Sequence, residues 1–87
     1  MFILVNHKIN NPESFWKSAQ ENQPNLPEQN VQRVMQSLPN ADMTMSSCVW
    51  EADSIEALDT YLRSKMGNWS EESYYEINTQ NALGFTM

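Results

Sequence analysis

Ser47-Cys48-Val49-Trp50-Glu51-Ala52-Asp53-Ser54-Ile55-Glu56-Ala57-Leu58 opens the stretch that decides the fold, which runs on through Tyr74-Tyr75-Glu76-Ile77-Asn78 to residue 83. It reads as strand, capped helix, turn and strand without a break. Thr44 to Glu51 has the Thr, Cys, Val and Trp content of a strand. Asp53 and Glu56 have capping-box spacing. Ile55, Leu58, Leu62 and Met66 then form one helical stripe, with Arg63 and Lys65 near the C-terminus where positive charge suits the dipole, and Gly67 as the stop. Residues 68–72 read as a loop and 73–78 as a strand.

The N-terminal end repeats the pattern. Phe2 to Ile9 reads as a first strand, and Asn11 is placed to cap a helix that has Pro12 at its first position, carries Phe15 and Trp16, and runs to about residue 22. Gln23-Pro24-Asn25-Leu26-Pro27 is a loop, because the residue before each proline is pushed out of the helical region. The segment from Asn30 to Leu38 is ambiguous: Val31, Val34, Met35 and Leu38 have helical spacing, yet a split sheet requires a strand here. A strand ending at Pro39-Asn40, with a short hairpin into the next strand, is the expected solution. The order is βαββαβ with a tail from Gln80. In it the first and third strands are expected to be central, adjacent and parallel.

An 87-residue chain makes one domain, residues 1–87, and such a domain buries only roughly 60–65% of its unfolded surface. Cys48 is the single cysteine, so there is no disulfide to add stability, and a free thiol suits a cytoplasmic setting. No Cys/His cluster suggests structural zinc and no cofactor signature stands out, which leaves a homodimer as the ordinary route to a larger core. A net charge of −6 opposes binding to phosphate backbones and excludes nucleic acid as an expected partner. The apolar start is broken at once by Asn6, His7 and Lys8, so neither a signal h-region nor a membrane span is expected. Asn68-Trp69-Ser70 matches the glycosylation sequon only by a short pattern that needs a secretory context.

Two helices cover one face of a four-stranded antiparallel sheet, and the other face is expected to be polar if it meets water. Here Phe2 and Leu4 alternate with Ile3 and Val5, Val49 with Trp50, and Tyr74 with Tyr75, so both faces carry large apolar groups. That predicts a partner over the uncovered face.

Cys48-Val49-Trp50-Glu51-Ala52-Asp53-Ser54, with Tyr75-Glu76-Ile77-Asn78 and Asn81-Ala82-Leu83-Gly84, resembles small uncharacterised bacterial members of the dimeric α/β-barrel superfamily. The resemblance implies a ferredoxin-like α+β fold whose sheets pair face to face around a cavity. That superfamily hosts several unrelated activities, so fold leaves function open. The Cys-x-x-Glu-Ala strand end also resembles a group of small nickel-binding ferredoxin-like proteins.

The expected function is binding or transformation of a small organic molecule in a cavity between sheet and partner, lined by His7, Trp50, Glu51 and Glu76. His7, the only histidine, is expected at the same end of the sheet as Trp50 and Glu51, where Glu51 would orient it for acid–base work; a lone strand histidine is more often a hydrogen-bonded structural residue. Glu51 and Glu76 sit among half-buried positions and need partners, either as strand-end salt links or as cavity carboxylates. Trp50, Tyr74 and Tyr75 read as pocket wall or plain core. Phe15 and Trp16 read as sheet packing, and the methionines as gap fillers. The alternatives are a transition-metal site of His7, Cys48 and Glu51 and a purely structural dimer with a filled barrel.

Overall fold

The computed structural model describes residues 1–86. The elements are β1 (Phe2–Ile9), α1 (Pro12–Asn22), β2 (Val31–Pro39), β3 (Met45–Ala52), α2 (Ile55–Met66) and β4 (Ser70–Glu76), with a single 3-10 turn at Gln23–Asn25. The sheet order is β2-β3-β1-β4, with every neighbouring pair antiparallel. The chain therefore has a ferredoxin-like α+β fold. Residues 31–39 are a strand, as the split sheet demands.

β1 sets the layer geometry. Ile3, Val5, His7 and Ile9 are buried while Asn6 and Lys8 are exposed, the period of two expected when one face meets the helices. Ser46, Cys48, Trp50 and Ala52 of β3 share that inner face. They meet Phe15 of α1 and Leu58, Tyr61, Leu62 and Met66 of α2 in the core. Leu58 and Leu62 are fully buried, and burial of such a side chain contributes about 1.5–3 kcal/mol. The two helices are tied by the Ser18 hydroxyl, which donates to the Lys65 carbonyl (2.9 Å). Tyr74 donates to Asp59 Oδ1 (2.7 Å), fastening β4 to α2.

Three expectations need correction. First, β1 and β3 run antiparallel, because the crossover through α1 makes β2 parallel to β1 and the hairpin then reverses the chain into β3. Phe2 lies opposite Glu51, and His7 lies opposite Ser46. Second, the cap of α2 is Ser54, not Asp53. The Ser54 hydroxyl accepts from the Ala57 N–H (3.0 Å), while the Asp53 carboxylate accepts from Gln32 Nε2 (2.9 Å). Third, β4 begins at Ser70 rather than Ser73. Arg63 Nη1 donates to the Gly67 and Ser70 carbonyls (3.0 and 3.2 Å) and draws the chain into the sheet early.

The helical spacing in β2 has a strand explanation. Register shifts fall between Val31 and Arg33 and between Val34 and Gln36, so Val31 and Val34 both reach the inner face although three residues apart. An extra residue in a strand produces that spacing by turning the following side chains over.

The outer face of the sheet is divided. At one end Phe85 of the C-terminal tail packs edge-on against Phe2 (5.5 Å between centroids), and Val49 is only 7% exposed. At the other end Ser47 donates to Asn6 Oδ1 (2.7 Å), with Lys8, Glu71 and Ser73 exposed around it. Leu38, Met45 and Tyr75 remain open to solvent. No helix among the described residues is long and apolar enough to cross a membrane.

The two residues at the start of α2 have separable roles. Ser54→Ala should lower stability by about 1 kcal/mol, the usual worth of an N-cap hydroxyl. Asp53→Ala removes one exposed side-chain contact and should change it by no more than about 0.5 kcal/mol. Urea denaturation of the two variants checks the assignment, and the reverse ranking would restore Asp53 as the cap.

Candidate functional site

Antiparallel pairing separates the residues that the sequence places together. Glu51 lies on the outer face at the far end of the sheet from His7, where its Oε1 accepts from Arg33 Nε (2.8 Å). Glu76 is exposed at the end of β4, opposite Ile3. His7 and Trp50 are on the inner face and line one cavity under α1, together with Cys48. Of His7, Cys48 and Glu51, only the first two are therefore neighbours. Among the described residues no group of three or more His, Cys, Asp or Glu side chains is arranged to hold a metal ion.

His7 takes a different carboxylate. Its Nδ1 is 2.9 Å from Glu72 Oε2, and both side chains are 1% exposed. The pairing follows from register, since His7 lies opposite Glu72 in the β1–β4 ladder. Reading residues 68–72 as a loop leaves Glu72 without a face. Extending the alternation of β4 back from Tyr74 points it inward, and that is the signal that could have found it.

Glu72 also accepts from the Ser70 hydroxyl on Oε2, and Arg63 Nη2 sits against Oε1. With a guanidinium and a hydroxyl directed at it, the carboxylate is an ionised acceptor, so the shared proton belongs to His7 Nδ1. That tautomer turns the other ring nitrogen, Nε2, into an acceptor. Phe15 packs edge-on against the imidazole (5.2 Å between centroids), which further fixes the ring.

Cys48 is the neighbour on the open side of that ring. In the β1–β3 ladder His7 faces Ser46 and Val5 faces Cys48, so His7 and Cys48 are diagonal neighbours on the same face, within reach of each other's side chains. Burial opposes ionisation of the thiol. A hydrogen bond with His7, the charge of its ring and hydrogen bonds with Ser46 and Ser37 outweigh it, and together bring the Cys48 pKa below the ordinary thiol value. The Ser46 and Ser37 hydroxyls lie 3.3 and 3.6 Å from Sγ. Since Arg63 already balances Glu72, a thiolate–imidazolium pair at Cys48 and His7 adds no net charge to the interior.

The cavity over this cluster has a volume of about 320 Å³ and is walled by Phe15, Trp16, Val34, Met35, Trp50 and Tyr61. Its sides are aromatic and aliphatic; polar groups enter from the sheet, with the thiol, the imidazole and Gln36 and Ser37 of β2, and from Gln20, Asn22 and Gln23 at the α1 end. The indole Nε1 of Trp50, one of the wall residues, is buried without a hydrogen-bond partner, and such an orphaned donor costs about 1–3 kcal/mol. Trp16 differs, because its Nε1 donates to the Met43 carbonyl (3.0 Å) and holds α1 to the β2–β3 hairpin.

No protein-family model, curated protein or solved structure matches the chain.

The lowered Cys48 pKa sets the direction of a titration. Thiolate absorbance in the ultraviolet should appear at a midpoint below that of an ordinary thiol. His7→Gln removes the imidazole and leaves burial opposed only by the two serines, so the midpoint should move up. Identical midpoints in the two proteins would remove His7 from the thiol's environment.

Proposed function

We propose that the chain binds or transforms a small, planar, largely apolar organic molecule in the cavity between α1 and the inner face of the sheet. The observation that carries this reading is the pairing of aromatic walls with one unpartnered indole donor. A ligand carbonyl or similar acceptor would satisfy Trp50 Nε1 while its ring replaced solvent between Trp16 and Trp50. A volume near 320 Å³ lies at the small end of the roughly 300–1,000 Å³ range of ligand pockets, the scale of a single substituted ring. The site lies within one chain rather than between two.

Acetophenone, an aryl ketone with one acceptor oxygen, is a suitable probe. It should quench the tryptophan fluorescence saturably, since Trp16 and Trp50 both line the cavity. Ala19→Phe, which fills the cavity from α1, should weaken that binding at least about tenfold, or 1.4 kcal/mol. Non-saturable quenching, or quenching untouched by Ala19→Phe, would overturn the reading.

A homodimer through the outer face of the sheet is a second, independent proposal. Its support is the exposure of Tyr75 (54%), Met45 (56%) and Leu38 (60%) on that face, with Leu83 of the adjoining tail at 96%. Large apolar groups left open on one sheet face favour a contact surface there. Sedimentation at micromolar concentration should return twice the 10.1 kDa chain mass, and Tyr75→Asp should return the monomer. A wild-type monomer sinks the dimer and leaves the cavity reading untouched.

A further inference from the structure

We propose that Cys48 is a nucleophile which accepts an acyl group from a small aryl ester or thioester seated in this cavity, with His7 as its proton acceptor and donor. The proposal rests on the cavity reading above and names the substrate class for it. Cys48, His7 and Glu72 come from β3, β1 and β4 and meet on the inner face by register. Glu72 holds Nδ1 of the ring at 2.9 Å, which leaves Nε2 as the nitrogen free to accept from the thiol of its diagonal neighbour. A nucleophile, a base and a buried group that orients the base form the arrangement used for acyl transfer on unrelated folds. Trp50 is an independent observation pointing to the same ligand. It is 8% exposed, its Nε1 has no partner, and it is two residues from Cys48 on the same strand face. A small rotation of the indole toward the cavity would offer this N–H to a substrate carbonyl oxygen, which gains negative charge as the carbonyl carbon is attacked.

The step balances without an outside oxidant or reductant. His7 Nε2 takes the thiol proton as Cys48 Sγ bonds to the carbonyl carbon, and the π electrons move to oxygen. Their return breaks the bond to the phenolate, alkoxide or thiolate leaving group, to which His7 hands the proton. Water, deprotonated by the same nitrogen, then breaks the Sγ–C bond, giving a carboxylic acid and restoring the thiol. Glu72 touches no reacting atom and is a positioning residue.

The test is incubation of the full chain with p-nitrophenyl acetate. The expected result is a stoichiometric burst of nitrophenolate, with an acetyl group mapped by mass spectrometry to Cys48. The burst rate should reach half-maximum at a pH below the ordinary thiol value. Cys48→Ser should abolish the burst, and His7→Gln should slow it by about 10²–10⁴-fold. Trp50→Phe removes the indole N–H while retaining an aromatic ring and should slow it about a hundredfold, which gives a readout that survives should a His7 variant fail to fold. Glu72→Gln should displace the pH profile, a change that loss of packing alone would not produce. Acetylation confined to lysines or the chain's amino group, or an undiminished burst in Cys48→Ser, overturns the proposal. If acetophenone still quenches saturably while no acetyl reaches Cys48, the nucleophile falls and the cavity reading stands; if neither occurs, both fall.

Discussion

A carboxylate removed from water is the constraint around which the inner face is organised. Taking an ion such as Glu72 out of solvent costs several kcal/mol even after relaxation, and the chain offsets that cost from three elements at once. β1 supplies the His7 N–H, β4 the Ser70 hydroxyl and α2 the Arg63 guanidinium. Arg63 also donates to the Gly67 and Ser70 carbonyls, so the cation that balances Glu72 closes the end of α2 and starts β4. Charge compensation and chain geometry are here one set of contacts.

That compensation places the reactive pair where it can work. An imidazole tethered on one side by a fixed anion has a single tautomer and little rotational freedom, and its remaining nitrogen is left free to accept a proton. The hydroxyls around Cys48 serve the same end, because each can donate to sulfur when it carries charge. Residues of one strand face that would otherwise be plain core become a chain of proton-linked groups ending at the cavity wall.

The element order was legible because helix caps, prolines and period-two strands speak locally. Asn11 accepts from the Ser14 N–H (3.1 Å), Pro12 opens α1, and Gly67 ends α2 at φ 54°. The site was half legible: His7, Trp50 and Cys48 share one cavity, but the carboxylate assigned to them was the wrong one. Strand direction decided that. A lone strand shows which residues alternate but not which way its neighbour runs, and reversing β3 carries Glu51 to the opposite end from His7. Glu72 escaped notice because turn-like residues, Asn68 to Glu71, precede it, and its inward aim depends on a strand start that Arg63, remote in sequence, imposes. In β2 two bulges mimic helical spacing, and only the requirement for a fourth strand resolved the segment.

Those bulges matter beyond periodicity. β2 is an edge of the sheet, and a regular edge offers its free N–H and C=O groups to any passing strand. Two register shifts within nine residues break that row into short, differently aimed pieces. The irregularity that carries Val34 and Met35 to the cavity thus also makes β2 a poor template for strand addition by other chains. The opposite edge, β4, is kept apart by charge instead, through Glu71 and Glu76. Neither edge thus invites a continuous intermolecular sheet.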